Sequence, residues 1–214
     1  MNTFRIVLQE TVSERDVDSG IFIRKIGRSM KLGFNPRRSY KDKAMSKIVE
    51  FYLGAVADSE GRTIEQIWSW DYSQLEYIHD YIQWLFPLTE ASNFNYKAPI
   101  LIESDIDQFR ASDKLKNQLL TSFKIMLGFY GLQCIENNNT IDIKLSDTFE
   151  TRKQEWLHRG NHNHLRITRI LKSLKLLGLE EYAQAFFMCL EQIYNFERGS
   201  IDARSYQFWK HAVV

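Results

Sequence analysis

Large apolar side chains recur every three or four residues along most of this chain, and that spacing commits it to helices. At 3.6 residues per turn such positions share one face, and burying that face is what holds a helix in place. Leu115, Leu119, Phe123, Met126, Leu127 and Tyr130 form one stripe, with Gly131 placed to end it. Leu75, Ile78, Ile82 and Leu85 form a second, which starts at the N-cap residue Asp71 and stops at Pro87. Ile167, Ile170, Leu171, Leu174 and Leu177 form a third. Further helices are predicted at about Lys43–Ala57, after Ser104, and at Phe149–His158, Glu180–Phe196 and Ile201–His211.

The period changes in two places. Residues Phe4–Thr11 and Gly20–Ile26 are rich in Ile, Val and Phe and read as an N-terminal β-hairpin. Residues Leu132–Ile135 and Ile141–Leu145 flank the turn Asn137–Asn139 and read as a small internal hairpin. The expected fold class is therefore mainly α. Residues 45–214 form a compact, bundle-like helical domain, and residues 1–44 form a β and basic extension before it. With 44% hydrophobic and 14% aromatic residues, the chain has enough apolar surface for a real core, which excludes disorder throughout.

Lys plus Arg is 28 and Asp plus Glu is 27, a net charge of +1 that gives no global pull toward nucleic acid or a membrane surface. The basic run Arg24 to Lys47, with Phe34 and Tyr40 inside it, is the stretch suited to tracking phosphates, so nucleic-acid binding stands as a lesser alternative. No stretch approaches the about 20 apolar residues of a membrane span, and Met1–Glu10 carries no signal-peptide pattern. Cys134 and Cys189, the only cysteines, sit among apolar neighbours and read as reduced thiols. A soluble, cytoplasmic protein is the expectation.

Two segments carry side chains with chemical potential. Between Asp71 and Pro87, Glu76 and His79 border the apolar face. The aromatics Trp68, Trp70, Tyr72, Tyr77, Tyr81, Trp84 and Phe86 either form an exposed groove for a peptide or partner helix, or lie buried beneath neighbours. Between His158 and Leu179 there is no acid, and Arg166, Arg169, Lys172 and Lys175 lie off the apolar arc. His162 and Asn163 stand at that helix's start, where free N–H groups and the dipole favour an anion. Arg166 and Arg169 either hold such an anion or pair with carboxylates such as Asp71, Glu76 or Asp80. The expected ligand-binding junction is Glu76, His79, Trp84, His162, Asn163, Arg166 and Arg169.

His162 and His164 point ~200° apart on a helix and make no metal-binding pair, so no metal and no cofactor is expected. No nucleophile elbow, phosphate-binding Gly loop or dinucleotide fingerprint occurs, and no catalytic residue stands out. A non-catalytic recognition domain for a peptide or protein is the leading reading. The alternative is an enzyme or anion-binding protein using Glu76, His79, His162 and the arginines.

Several ungapped stretches make the chain similar to a known family. They are Asp71-Tyr72, Leu75-Glu76, His79, Tyr81 through Leu88, Asn95, Ala98-Pro99, Leu127 through Gly131, and His162-Asn163 with Leu165 through Leu174. Over roughly Ile48 to Phe196 the chain resembles the conserved domain of the opioid growth factor receptor family, as a short homologue without the repeat-bearing tail. The resemblance implies a helical core and, in animal relatives, recognition of a short enkephalin peptide linked to growth control. It supplies no catalytic residues. Asn163 is followed by His164 where the family pattern leads one to expect another Asn, and residues 1–44 have no recognisable counterpart in it.

Overall fold

The computed structural model describes residues 45–92, 95–137 and 140–214. The expected strands Phe4–Thr11 and Gly20–Ile26 lie outside the described residues, as do most of the basic run and Asn138 and Asn139 of the internal turn.

Helix α1 (Lys47–Tyr52) starts at Ser46, whose hydroxyl accepts from the Val49 N–H. It ends sooner than expected, because the chain turns at Gly54 with φ +75°. Helix α2 (Ile64–Trp68) is too short to show a period. It is set by a capping box, in which Thr63 Oγ1 accepts from Gln66 N–H and Gln66 Oε1 accepts from Thr63 N–H.

Helix α3 (Tyr72–Tyr77) begins at Asp71 as predicted, with Gln74 completing the same reciprocal cap. The expectation of one helix to Pro87 fails. The backbone becomes extended at Ile78 (φ −85°, ψ 132°), and a short helix α4 (Ile82–Leu85) follows. The reason is tertiary and lies in the carbonyl partners described below.

Helix α5 (Glu103–Ala111) starts two residues earlier than predicted, with Ile102 rather than Ser104 at its cap and Asp105 accepting from the Ile102 N–H. Helix α6 (Asp113–Tyr130) carries the first apolar stripe and ends at Gly131 in the left-handed region, φ +75°. A Cβ there would stand 2.7 Å from the Phe149 Cα, so only glycine lets α7 (Phe149–Trp156) cross so closely. Strands β1 (Leu132–Asn137) and β2 (Thr140–Leu145) pair antiparallel from Leu132↔Leu145 to Asn137↔Thr140, the predicted hairpin. Helices α8 (Asn163–Leu176), α9 (Glu180–Phe196) and α10 (Ala203–Val213) complete the described chain.

Helix α8 packs against α9 and α10, and the hairpin packs against α6 and α9. The core is aromatic. Trp156 donates to Tyr130 O at 3.1 Å and meets the Tyr130 ring edge-on. Trp209 donates to His164 O at 3.0 Å. Phe123 and Phe186 meet with centroids 5.4 Å apart. These rings are fully buried, and burying each contributes roughly 1.5–3 kcal/mol. Glu136 ties the hairpin down by accepting from Lys124 Nζ (2.8 Å) and Tyr182 Oη (3.2 Å). Cys134 and Cys189 are free thiols. Burial pushes them up to about 11 and about 12, so neither is a thiolate at neutral pH.

Candidate functional site

The second and third apolar stripes bring their polar edges together at Arg166. This side chain is 5% exposed, and its guanidinium is spent on backbone. Nη1 donates to Leu75 O at 2.9 Å, and Nη2 donates to Ile78 O at 2.9 Å and Glu76 O at 3.3 Å. Leu75 O also accepts from Tyr81 Oη at 3.0 Å. The carbonyls at the end of α3, which a longer helix would have used internally, are thus capped from α8. Two more side chains of α8 repeat the pattern. Arg169 Nη1 donates to Phe86 O at 3.1 Å, and Ser173 Oγ to Pro87 O at 3.0 Å. Arg166, Arg169 and Ser173 lie on one face of α8, and together they hold the broken segment against it.

Glu76 supplies the negative charge of this junction. Its Oε2 accepts from Asn163 Nδ2 at 3.0 Å and lies 3.7 Å from Arg166 Nη1, and its Oε1 lies 3.4 Å from His162 Nε2. His162 and His79 meet ring to ring, with centroids 4.9 Å apart. Partial burial and then the charge of Arg166 hold His162 below its ordinary value, with Glu76 pulling the other way. His162 is therefore neutral at neutral pH.

A cleft of about 340 Å³ opens between the α8 edge and the stretch from His79 to Ser92. His79, His162, Arg166 and Arg169, all expected from sequence, line it. Glu76 and Asn163 do not line it; they hold His162 and Arg166 in place from beside it. Leu165, Lys172, Leu88 and Glu90 line it too, and sequence reasoning missed them as site residues. The run of 88–92 shows no period or motif that marks it as a wall.

Trp84 requires a correction. It is 4% exposed and packs on Phe51 at 5.1 Å, so it belongs to the core. Tyr81 and Phe86 are buried as well, while Tyr77 is 85% exposed. No exposed aromatic groove forms here among the described residues: Phe51 of α1 lies on Trp84, and Tyr81 Oη reaches Met126 Sδ of α6 at 3.5 Å.

His164 points away from the cleft, as the spacing from His162 required. It is 2% exposed, edge-on to Trp209 at 5.5 Å, with Nδ1 3.9 Å from Asp202 Oδ2. Burial is the main force holding it below the ordinary histidine value of 6.5, with Asp202 opposing. In the unfolded chain His164 takes a proton near 6.5, whereas in the fold it resists one, so acid favours unfolding. Stability is expected to be level above about pH 7 and to fall as pH drops through about 6.5. Urea melts across pH 7.5 to 5 should show this, and His164→Gln should flatten the slope.

These observations define a mainly helical domain in which an acid-free helix is clamped to a broken one. Residues 41–214 match the family model described as the opioid growth factor receptor (OGFr) conserved region, and the chain belongs to this family. The opioid growth factor receptor of Mus musculus is 44% identical over 138 residues, covering 63% of this chain and 21% of that protein. The Homo sapiens receptor is 41% identical over 119 residues, 56% of this chain and 17% of that protein. The opioid growth factor receptor-like protein 1 of Xenopus tropicalis is 36% identical over 138 residues, 63% of this chain and 26% of that protein. The matched stretch thus spans about a quarter or less of these relatives. No solved structure matches the chain. Among the described residues, no helix is long and apolar enough to cross a membrane.

Proposed function

We propose that this domain acts by non-covalent recognition of a peptide or protein partner held in the cleft along α8, in a cytoplasmic setting. We also take residues 45–214 to be the recognition domain, with residues 1–44 a separate extension. The observation that best supports recognition in the cleft is the state of Arg169. Arg169 lines the cleft, its guanidinium donates to one carbonyl, and it has no carboxylate within ion-pair distance among the described residues. A half-buried cation with spare donors attracts an anionic group.

Lys172 stands one turn further along, and its Glu90 partner is mostly exposed, so that pair is weak and easily displaced. Leu165, 52% exposed, offers apolar surface beside these charges. The Mus musculus and Homo sapiens relatives are named opioid growth factor receptors, and a short peptide with a free carboxylate and apolar side chains suits such a cleft.

The test is calorimetry with a panel of short synthetic peptides, an enkephalin among them, each with its carboxylate free and amidated. At least one free-acid peptide should bind, and Lys172→Glu should weaken it roughly tenfold. If no peptide of the panel binds the full chain, this reading is wrong.

A further inference from the structure

Resting on that reading, we infer that the cleft takes an extended peptide segment in which an acidic residue and a large apolar residue are two positions apart. Three observations carry this. First, the charge of the cleft is lopsided: among the described residues Arg169, Lys172 and Arg166 line it against one carboxylate, Glu90. Arg166 is consumed by the backbone of α3, and Lys172 is loosely engaged by Glu90 at 3.4 Å. Among the described residues Arg169 remains the cleft cation with donors to spare, so it is the seat for the ligand's carboxylate.

Second, Leu165 is an exposed leucine one helical turn before Arg169 on the cleft side of α8. Half of it is open to solvent, which leaves it to receive an apolar side chain.

Third, the spacing sets the register. Four residues along α8 advance about 6 Å, at 1.5 Å per residue. An extended chain advances about 3.3 Å per residue, and alternate side chains share a face. A carboxylate over Arg169 and an apolar group over Leu165 therefore belong to residues i and i+2 of the ligand. A helical ligand would instead match this span with residues i and i+4.

The experiment is fluorescence anisotropy of the full chain with labelled peptides in a Gly/Ser background. They carry Glu-x-Leu or Leu-x-Glu, with Gln-x-Leu, Leu-x-Gln and the adjacent Glu-Leu as controls. One of the two spaced acidic orders should bind at least about tenfold more tightly than its glutamine match, since a charge-assisted pair to Arg is lost. Arg169→Gln should erase that difference, and Leu165→Ala should erase the preference for Leu over Ala. Lys172→Glu, which sets a carboxylate beside Arg169 in place of a loosely paired cation, gives the same readout should Arg169→Gln melt.

Equal binding of the acidic and glutamine peptides, or of Glu-Leu and Glu-x-Leu, overturns the inference and leaves peptide recognition standing. Inorganic phosphate binding as tightly as the best peptide would show an anion site without peptide readout, which also overturns it. Absence of binding by every peptide overturns both this inference and the reading beneath it.

Discussion

Replacing Arg166 by alanine is expected to destabilise the fold by about 3–5 kcal/mol, the range for breaking a buried charged network from one side. The side chain is nearly inaccessible, and its loss leaves the carbonyls of Glu76 and Ile78 without the donor that serves them, while that of Leu75 keeps only Tyr81 Oη. It also leaves Glu76 facing Asn163 and a neutral His162 with no strong cation beside it. Arg166→Lys should rescue little, because a single ammonium on a narrower reach cannot serve carbonyls on both sides of a chain break as the planar guanidinium does. Urea denaturation followed by circular dichroism measures both variants. A loss under 1 kcal/mol for alanine would show that the break at Ile78 stands without the clamp.

Trp209→Ala should cost about as much, roughly 3–5 kcal/mol, for a different reason. The indole is fully buried where α10 meets α8, so truncation opens a cavity. Its Nε1–H donates to His164 O, which also accepts from Thr168 Oγ1, so that carbonyl is not orphaned. Trp209→Phe isolates the hydrogen bond from the packing and should cost nearer 1 kcal/mol beyond its small volume loss. A Trp209→Ala variant as stable as the parent would mean that α10 is not held where the structure has it.

How far the fold was legible depended on whether a local signal decided it. Helix α6 was readable because its stripe runs the full 18 residues and ends in a glycine whose left-handed turn no other residue tolerates there. The hairpin was readable because its apolar spacing shortens on either side of a polar turn. The break inside 71–87 was not readable. Leu75, Ile82 and Leu85 keep helical spacing and are all buried, yet the backbone opens at Ile78 because its carbonyl is claimed by Arg166, 88 residues away. Helix α2 was missed because five residues cannot display a period, although its Thr63–Gln66 cap was there to be seen.

The site divides the same way. The meeting of Glu76 and His79 with His162 and Arg166 was legible because an acid-free helix and a carboxylate-bearing edge need one another. The choice between anion seat and internal pair resolved differently for the two arginines. Arg166 took backbone carbonyls with Glu76 nearby, while Arg169 took one carbonyl and, among the described residues, no carboxylate. The wall from Leu88 to Ser92 and the burial of Trp84 depend on tertiary packing that no spacing encodes.

The direct measurement is an amide chemical-shift map of the full chain, titrated with the tightest acidic peptide. Binding in the cleft should move resonances of 79–92 and 162–172 and leave α9 and α10 still. Shifts concentrated on α9, α10 or the hairpin, with the α8 edge unmoved, would contradict the placement of the ligand and with it the functional account.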